Sequence, residues 1–163
     1  SIFMKHIHVL TSPKGLGNII VVEDDIEIIN NFKKKLSLQI NKLPNEYSFL
    51  FFDQFTDSFS VKRNLFNFNK KFYKVTYFSE PDFSSPSKKK TGKTRGLAGY
   101  VFNSYFSDII RKEFESQENI CIPIDHWLNH LINKYSLDVF WSQPPLSFQG
   151  SKTGKYKSET TND

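Results

Sequence analysis

The chain has one cysteine, Cys121, in 163 residues, so no disulfide can close within it. Its four histidines and Cys121 show none of the spacings of a structural zinc site. No apolar run approaches the roughly 18 residues of a membrane span, and no signal-like segment opens the chain. No internal repeat is visible. What is present is 38% apolar residues and a net charge of +5. The first fits one globular domain, or a large piece of one, with a real core. The second fits an anionic partner such as nucleic acid, a phosphorylated sugar or a membrane surface, and it bears on association rather than fold.

Apolar periodicity divides the chain into alternating helices and strands. Residues 1–10, "SIFMKHIHVL", read as an amphipathic helix entered without a methionine, and hence as part of a longer protein. "NIIVV" is short, β-branched and unalternating, the pattern of a strand buried on both faces. Apolar positions 28, 29, 32, 36, 40 and 43 predict a helix that ends before Pro44. "YSFLFF", "FYKVTYF" (72–78), "GLAGYVF" (96–102) and "SLDVFW" read as strands. "SYFSDIIRKEFES" reads as a helix capped by Ser104 or Ser107, and "PIDHWLNHLINKY" as one with Pro123 in its first turn. The Lys-, Ser- and Pro-rich stretch 79–95 is an exposed loop, and the tail from Ser142 has little periodicity. Alternating strands and helices predict an α/β layered domain.

Three acids, Glu23, Asp24 and Asp25, follow "NIIVV". In open α/β sheets ligands sit beyond the carboxyl ends of the strands, where such acids suit Mg²⁺ or Mn²⁺, hard cations that bridge a diphosphate. If the chain is extended there, Glu23 and Asp25 share one side and Asp24 faces the other. A receiver domain of two-component signalling also opens on such acids, and "YSFLFFD" imitates its phosphoacceptor strand. Asp53 follows Asp25 by only 28 residues, too few for the strand and helix a receiver places between them.

Other candidates carry less. "GKT" at 92–94 lacks the glycine a P-loop needs five positions before Gly92, where Ser87 stands. Lys88, Lys89, Lys90, Lys93 and Arg95 read as a solvated basic loop, with contact to a diphosphate or anionic acceptor as the other reading. Nucleic-acid binding is disfavoured, because Phe51, Phe52, Phe72 and Tyr77 lie in core-like strand patterns rather than on an exposed stacking platform. His126 and His130 share a helix face but lack the glutamate of zinc proteases. Asp125 has an ordinary explanation as an acid in a helix first turn.

Four segments in order, "VVEDD", "GLAGYVFNSYFSDIIRKEF", "PIDHWLNHLINKY" and "LDVFWSQPPLSFQ", resemble glycosyltransferase family 25. That family includes bacterial lipooligosaccharide galactosyltransferases and collagen hydroxylysine galactosyltransferases. The resemblance spans most of residues 1–151 and implies a partial GT-A-like domain, with 152–163 as a polar tail. It implies inverting transfer of galactose or glucose from a UDP-sugar donor to a glycan or glycolipid acceptor, with Mn²⁺ or Mg²⁺. By motif match, Asp25 would be the direct metal ligand. Glu23 would meet the ribose or a metal-bound water, and Asp24 completes the acidic motif. Asp125 would be the base, with His126 orienting the acceptor or standing in as base. Gly96, Gly99 and Tyr100 would line the sugar pocket, and Gln149 would lie near the nucleotide. No histidine follows His130 to serve as the C-terminal metal ligand of many GT-A enzymes. The resemblance implies either the bacterial cytoplasm, with peripheral association at the inner membrane face, or a secretory lumen in a eukaryote. The family's nucleotide-binding strand and helix lie upstream of the matched segments, so the reading frame before Ser1 is expected to encode such a βα unit. Sequencing that frame and finding an unrelated segment would remove the family assignment.

Overall fold

The computed structural model describes residues 2–12, 17–53, 72–75, 97–142, 144–150 and 154, with backbone alone at 72–75. Its elements are helix α1 (Ile2–Thr11), strands β1 (Asn18–Val22) and β2 (Ile26–Ile28), helix α2 (Phe32–Ile40), strands β3 (Phe49–Phe51), β4 (Phe72–Val75) and β5 (Gly99–Asn103), helices α3 (Ser107–Glu115) and α4 (Ile124–Lys134), and strands β6 (Val139–Ser142) and β7 (Ser147–Gln149). A 3-10 turn, Ser104–Phe106, precedes α3. Five strands form one sheet in the order β1-β5-β3-β6-β4, and β2 pairs separately with β7. β5 runs antiparallel to β1 and β3, β6 runs parallel to β3, and β4 runs antiparallel to β6. This is an α/β fold, as the alternation predicted, with a mixed sheet flanked by helices, and its antiparallel pairs are foreign to the all-parallel sheet of a receiver.

Side-chain alternation gives each face of the sheet its own core. Phe49 and Phe51, Tyr100 and Phe102, and Val139 and Trp141 face α1, α3 and α4, where they meet Leu10, Ile110, Trp127, Leu128 and Leu131. Leu50, Phe52, Val101 and Phe140 face the other way and pack with Leu36 of α2, Leu43, Tyr47 and Leu146. The rings interlock: Phe51 stacks on Trp141 at 4.7 Å between centroids, and Phe49 lies 5.1 Å from Phe102. Each fully buried Phe stabilises the fold by about 2–3 kcal/mol.

Several sequence expectations change. Among the described residues β1 is an edge strand, not one buried on both faces. Ile19 and Val21 pack on the α1/α3/α4 side, but Ile20 and Val22 are 51% and 45% exposed, because the α2 layer stops short of them among the described residues. The helix expected from residue 28 begins at Phe32 instead. Ile26–Ile28 is taken up by β7, and Asn31 adopts left-handed φ 60°, ψ 29°, a conformation asparagine tolerates and helices do not propagate. Helix α3 is not capped by Ser104 or Ser107. The Asn103 side chain accepts from the Tyr105 N–H to start the 3-10 turn, which continues into α3 with no side-chain cap. The expected strand 72–78 is described over Phe72–Val75 only. Gly96, the basic stretch 79–95 and the tail 152–163, apart from Gly154, lie outside the described residues. Among the described residues no helix is long and apolar enough to cross a membrane.

Glu113, 5% exposed near the end of α3, ties α3 to α4. Its Oε2 accepts from Lys134 Nζ and from the Tyr135 hydroxyl, both at 2.7 Å. Its Oε1 accepts from Gln117 Nε2, and Gln117 Oε1 in turn accepts from Trp127 Nε1. Hydrogen bonds from Lys134 and then Tyr135 outweigh burial and hold the Glu113 carboxyl down at about 2. A carboxyl whose folded pKa lies below its unfolded value of about 4.3 adds stability that is complete above that value and is lost as pH falls toward 2. Thermal melts should therefore show a falling midpoint from about pH 5 to pH 2. Glu113→Gln should lose about 1–2 kcal/mol at neutral pH and show a flatter acid limb. An unchanged acid limb in Glu113→Gln would assign that pH dependence to other carboxyls.

Candidate functional site

Strands β1, β3 and β6 point the same way, so their carboxyl ends share one edge of the sheet. That edge is where α/β sheets place ligands. Glu23 leaves β1 there, and its N–H donates to the carbonyl of Ala98 at 2.8 Å. Asp53 leaves β3 on the far side of β5, 4% exposed, and the two strand ends stand about 10 Å apart.

The acidic stretch turns rather than staying extended. Asp24 and Asp25 form a turn into β2, Asp24 exposed and Asp25 half-buried, so the expected extended alternation of Glu23 and Asp25 does not hold. The "PPLSFQ" segment holds this turn in place. Leu146 N–H donates to the Phe52 carbonyl at 2.7 Å, β7 pairs with β2 so that Gln149 faces Ile26, and Gly150 N–H donates to the Asp25 carbonyl at 2.7 Å. Pieces more than a hundred residues apart thus meet at the ends of β1 and β3. Gln149 is half-buried beside the acidic turn, through backbone pairing that the aperiodic tail did not foretell.

Gly99 and Tyr100 are also here, for reasons of packing. A Cβ on Gly99 would stand 2.6 Å from Phe52 Cε2 and 2.8 Å from Ile26 Cδ1, so glycine is what lets the acidic turn and β3 close over β5. Tyr100 is fully buried under α1, its hydroxyl 2.9 Å from His6 Nδ1. Burial first, and the Glu23 carboxylate second, push its phenol far up, so it stays protonated. His6 Nε2 in turn lies 3.6 Å from Glu23 Oε1. His6 was not singled out from sequence. Its signal was a polar residue on the apolar face of an amphipathic helix, beside Phe3, Ile7 and Leu10.

Asp125 and His126 occupy the first turn of α4, both half-buried, with Asp125 Oδ1 accepting from the His126 N–H at 3.0 Å. The half-helix dipole favours an acid at this position. Helix α1 connects this turn to the acidic edge: Phe3 meets Trp127 edge to face at 5.9 Å, and His6, one helical turn along α1, reaches Glu23. His130 is exposed on the same helix.

Among the described residues no group of three His, Cys, Asp or Glu side chains could hold a metal ion. The donor set is therefore no closed cage of the kind zinc takes. Carboxylates, the side-chain type of the Glu23–Asp25 turn, are the donors that Mg²⁺ or Mn²⁺ takes one or two at a time, with phosphate and water completing the shell.

Set against known proteins, the chain matches no family model and no curated protein.

Because Gly99 is explained by its neighbours, Gly99→Ala should destabilise the fold by about 1–3 kcal/mol through overpacking against Phe52 and Ile26. Denaturant unfolding measures this. Wild-type stability in that variant would mean the contact relaxes freely and the glycine serves something other than packing.

Proposed function

We propose that the chain is part of a GT-A-like, metal-dependent, inverting glycosyltransferase that moves galactose or glucose from a UDP-sugar to a glycan, lipooligosaccharide or hydroxylysine-type acceptor. The observation that carries this reading is the meeting of Glu23 with Ala98, of Leu146 with Phe52 and of Gly150 with Asp25, which brings "EDD", residues 97–100 and "PPLSFQ" to one carboxyl edge of the sheet. The ordered resemblance had named these segments from sequence, and their meeting in space supports it.

In this reading Asp25, supported by Glu23, would hold Mn²⁺ or Mg²⁺ for the donor. When bound, such a cation is a Lewis acid that offsets charge on the departing diphosphate. Glu23 would meet the ribose or a metal-bound water, and Asp24, exposed in the turn, would add negative charge that favours a cation. Gln149 lies beside the nucleotide. Asp125 takes the proton of the acceptor hydroxyl as its oxygen attacks the anomeric carbon, and the carbon–oxygen bond to UDP breaks with the electron pair leaving on the diphosphate. His126 orients the acceptor.

The experiment is turnover of UDP-galactose and UDP-glucose by the whole protein with Mn²⁺. Asp25→Asn should lower kcat/KM at least about 10²-fold, the scale of losing one key electrostatic group, and a chelator should abolish turnover. Full activity in Asp25→Asn, or indifference to the chelator, would sink the metal role. Asp125→Asn should lose the acidic limb of the pH-rate profile, and a retained limb would remove Asp125 as base. No turnover with either sugar, but measurable binding of a glycan or polyanion, would favour a non-catalytic binding module on the same fold.

A further inference from the structure

Resting on the transferase reading above, we propose that His6, held by Tyr100, is a positioning residue that sets the Glu23 carboxylate for its contact with the donor. His6 is 6% exposed and Tyr100 is fully buried, in the core between α1 and β5. An imidazole and a phenol buried together cost stability unless each finds a partner, and apolar side chains would fill the same space without that cost. They find each other at 2.9 Å, ring beside ring with centroids 5.9 Å apart and planes at 26°.

The pair is not closed on itself. Its free end, His6 Nε2, faces Glu23 Oε1 at 3.6 Å, and Glu23 is 28% exposed at the carboxyl edge of the sheet. A carboxylate oxygen accepts hydrogen bonds, so the His6 tautomer that suits both neighbours carries its proton on Nε2. Nδ1 is then the acceptor, and the Tyr100 hydroxyl is its donor. Because Tyr100 stays protonated, that donor is always available and fixes both the tautomer and the ring plane. The result is a directed chain: Tyr100 O–H to His6 Nδ1, then His6 Nε2–H toward Glu23. At 3.6 Å the last contact is longer than a hydrogen bond, as catalytic contacts often are without substrate, and it has room to shorten when the carboxylate engages a ligand.

Helix α1 gains a functional meaning from this. It is anchored on α3 by the Arg111 guanidinium donating to the Thr11 carbonyl, and on α4 by Phe3 against Trp127. The imidazole therefore approaches Glu23 from a rigid element, which is what precise positioning needs.

The test uses the whole protein with UDP and Mn²⁺ as the probe, read by titration calorimetry, alongside steady-state kinetics and thermal melts. His6→Leu should weaken binding of Mn²⁺ with UDP and raise KM by about tenfold, the effect of losing one charge-assisted contact, while kcat changes much less. His6→Gln, which keeps an N–H near the place of Nε2, should recover most of the affinity. Tyr100→Phe, which removes only the hydroxyl, should lose about threefold. In a Glu23→Gln background, His6→Leu should add no further loss. Wild-type affinity in His6→Leu, failure of His6→Gln to rescue, or full additivity with Glu23→Gln would each overturn the positioning role and leave His6 as core packing. If His6→Leu does not fold, His6→Gln and Tyr100→Phe decide: undiminished binding in Tyr100→Phe, or binding in His6→Gln as weak as in Glu23→Gln, overturns the proposal. A wild type that binds no UDP with Mn²⁺ sinks the transferase reading itself, and this inference falls with it, whereas a binding wild type with indifferent His6 and Tyr100 variants sinks the inference alone.

Discussion

Everything in this molecule depends on β5 being hydrogen-bonded on both edges, to β1 through Asn18–Val22 and to β3 through Phe49–Phe51. A strand paired on both sides and covered on both faces has no freedom of register, since a slip of one residue would exchange Tyr100 and Phe102 with Gly99 and Val101. That exchange would put a phenol where Phe52 and Ile26 leave no room even for a methyl group. The register in turn places Glu23 beside Ala98, Tyr100 under His6, and the ends of β1 and β3 on one edge.

The second constraint is the return of the C-terminal segment. Without β7, the residues after Val22 would be a polar turn with three like charges and no reason to hold a shape. Pairing of Ile26–Ile28 with Ser147–Gln149, and the seat of Leu146 on the Phe52 carbonyl, convert that turn into a wall. The acidic residues therefore owe their placement to backbone hydrogen bonds from far along the chain. On the opposite face of the sheet, the Glu113 cluster does comparable work, joining α3 to the carboxyl end of α4 through Lys134 and, through Gln117, to Trp127 nearer the start of α4.

Much of the fold was legible because its signals are local. Helix α4 showed its 3.6-residue apolar period with a proline just before it, and β3 and β6 showed short aromatic and β-branched runs, and each forms where expected. The failures share one cause, which is competition from distant partners. "NIIVV" has the composition of a central strand, yet composition does not say how many neighbours a strand will have, and among the described residues β1 has one. Ile28 and Ile29 fit a helical period, but β7 offered Ile28 a ladder and Asn31 broke the run. Segment 147–149 is too short and irregular to announce a strand, and becomes one only against β2.

The candidate site divides along the same line. The residue types that suit a cation, Glu23, Asp24 and Asp25, and the acid at a helix start, Asp125, were determined by the sequence, because chemical type and local spacing are local properties. Which of them stand together, that Gly99 answers to Phe52 and Ile26, and that a histidine on the buried face of α1 is aimed at Glu23, were decided only by the tertiary structure. The physical reason is that hydrogen bonds between residues 6 and 100, 23 and 98, and 25 and 150 join positions whose separation along the chain carries no periodic signal, and only the packing of both faces of one sheet brings them within reach.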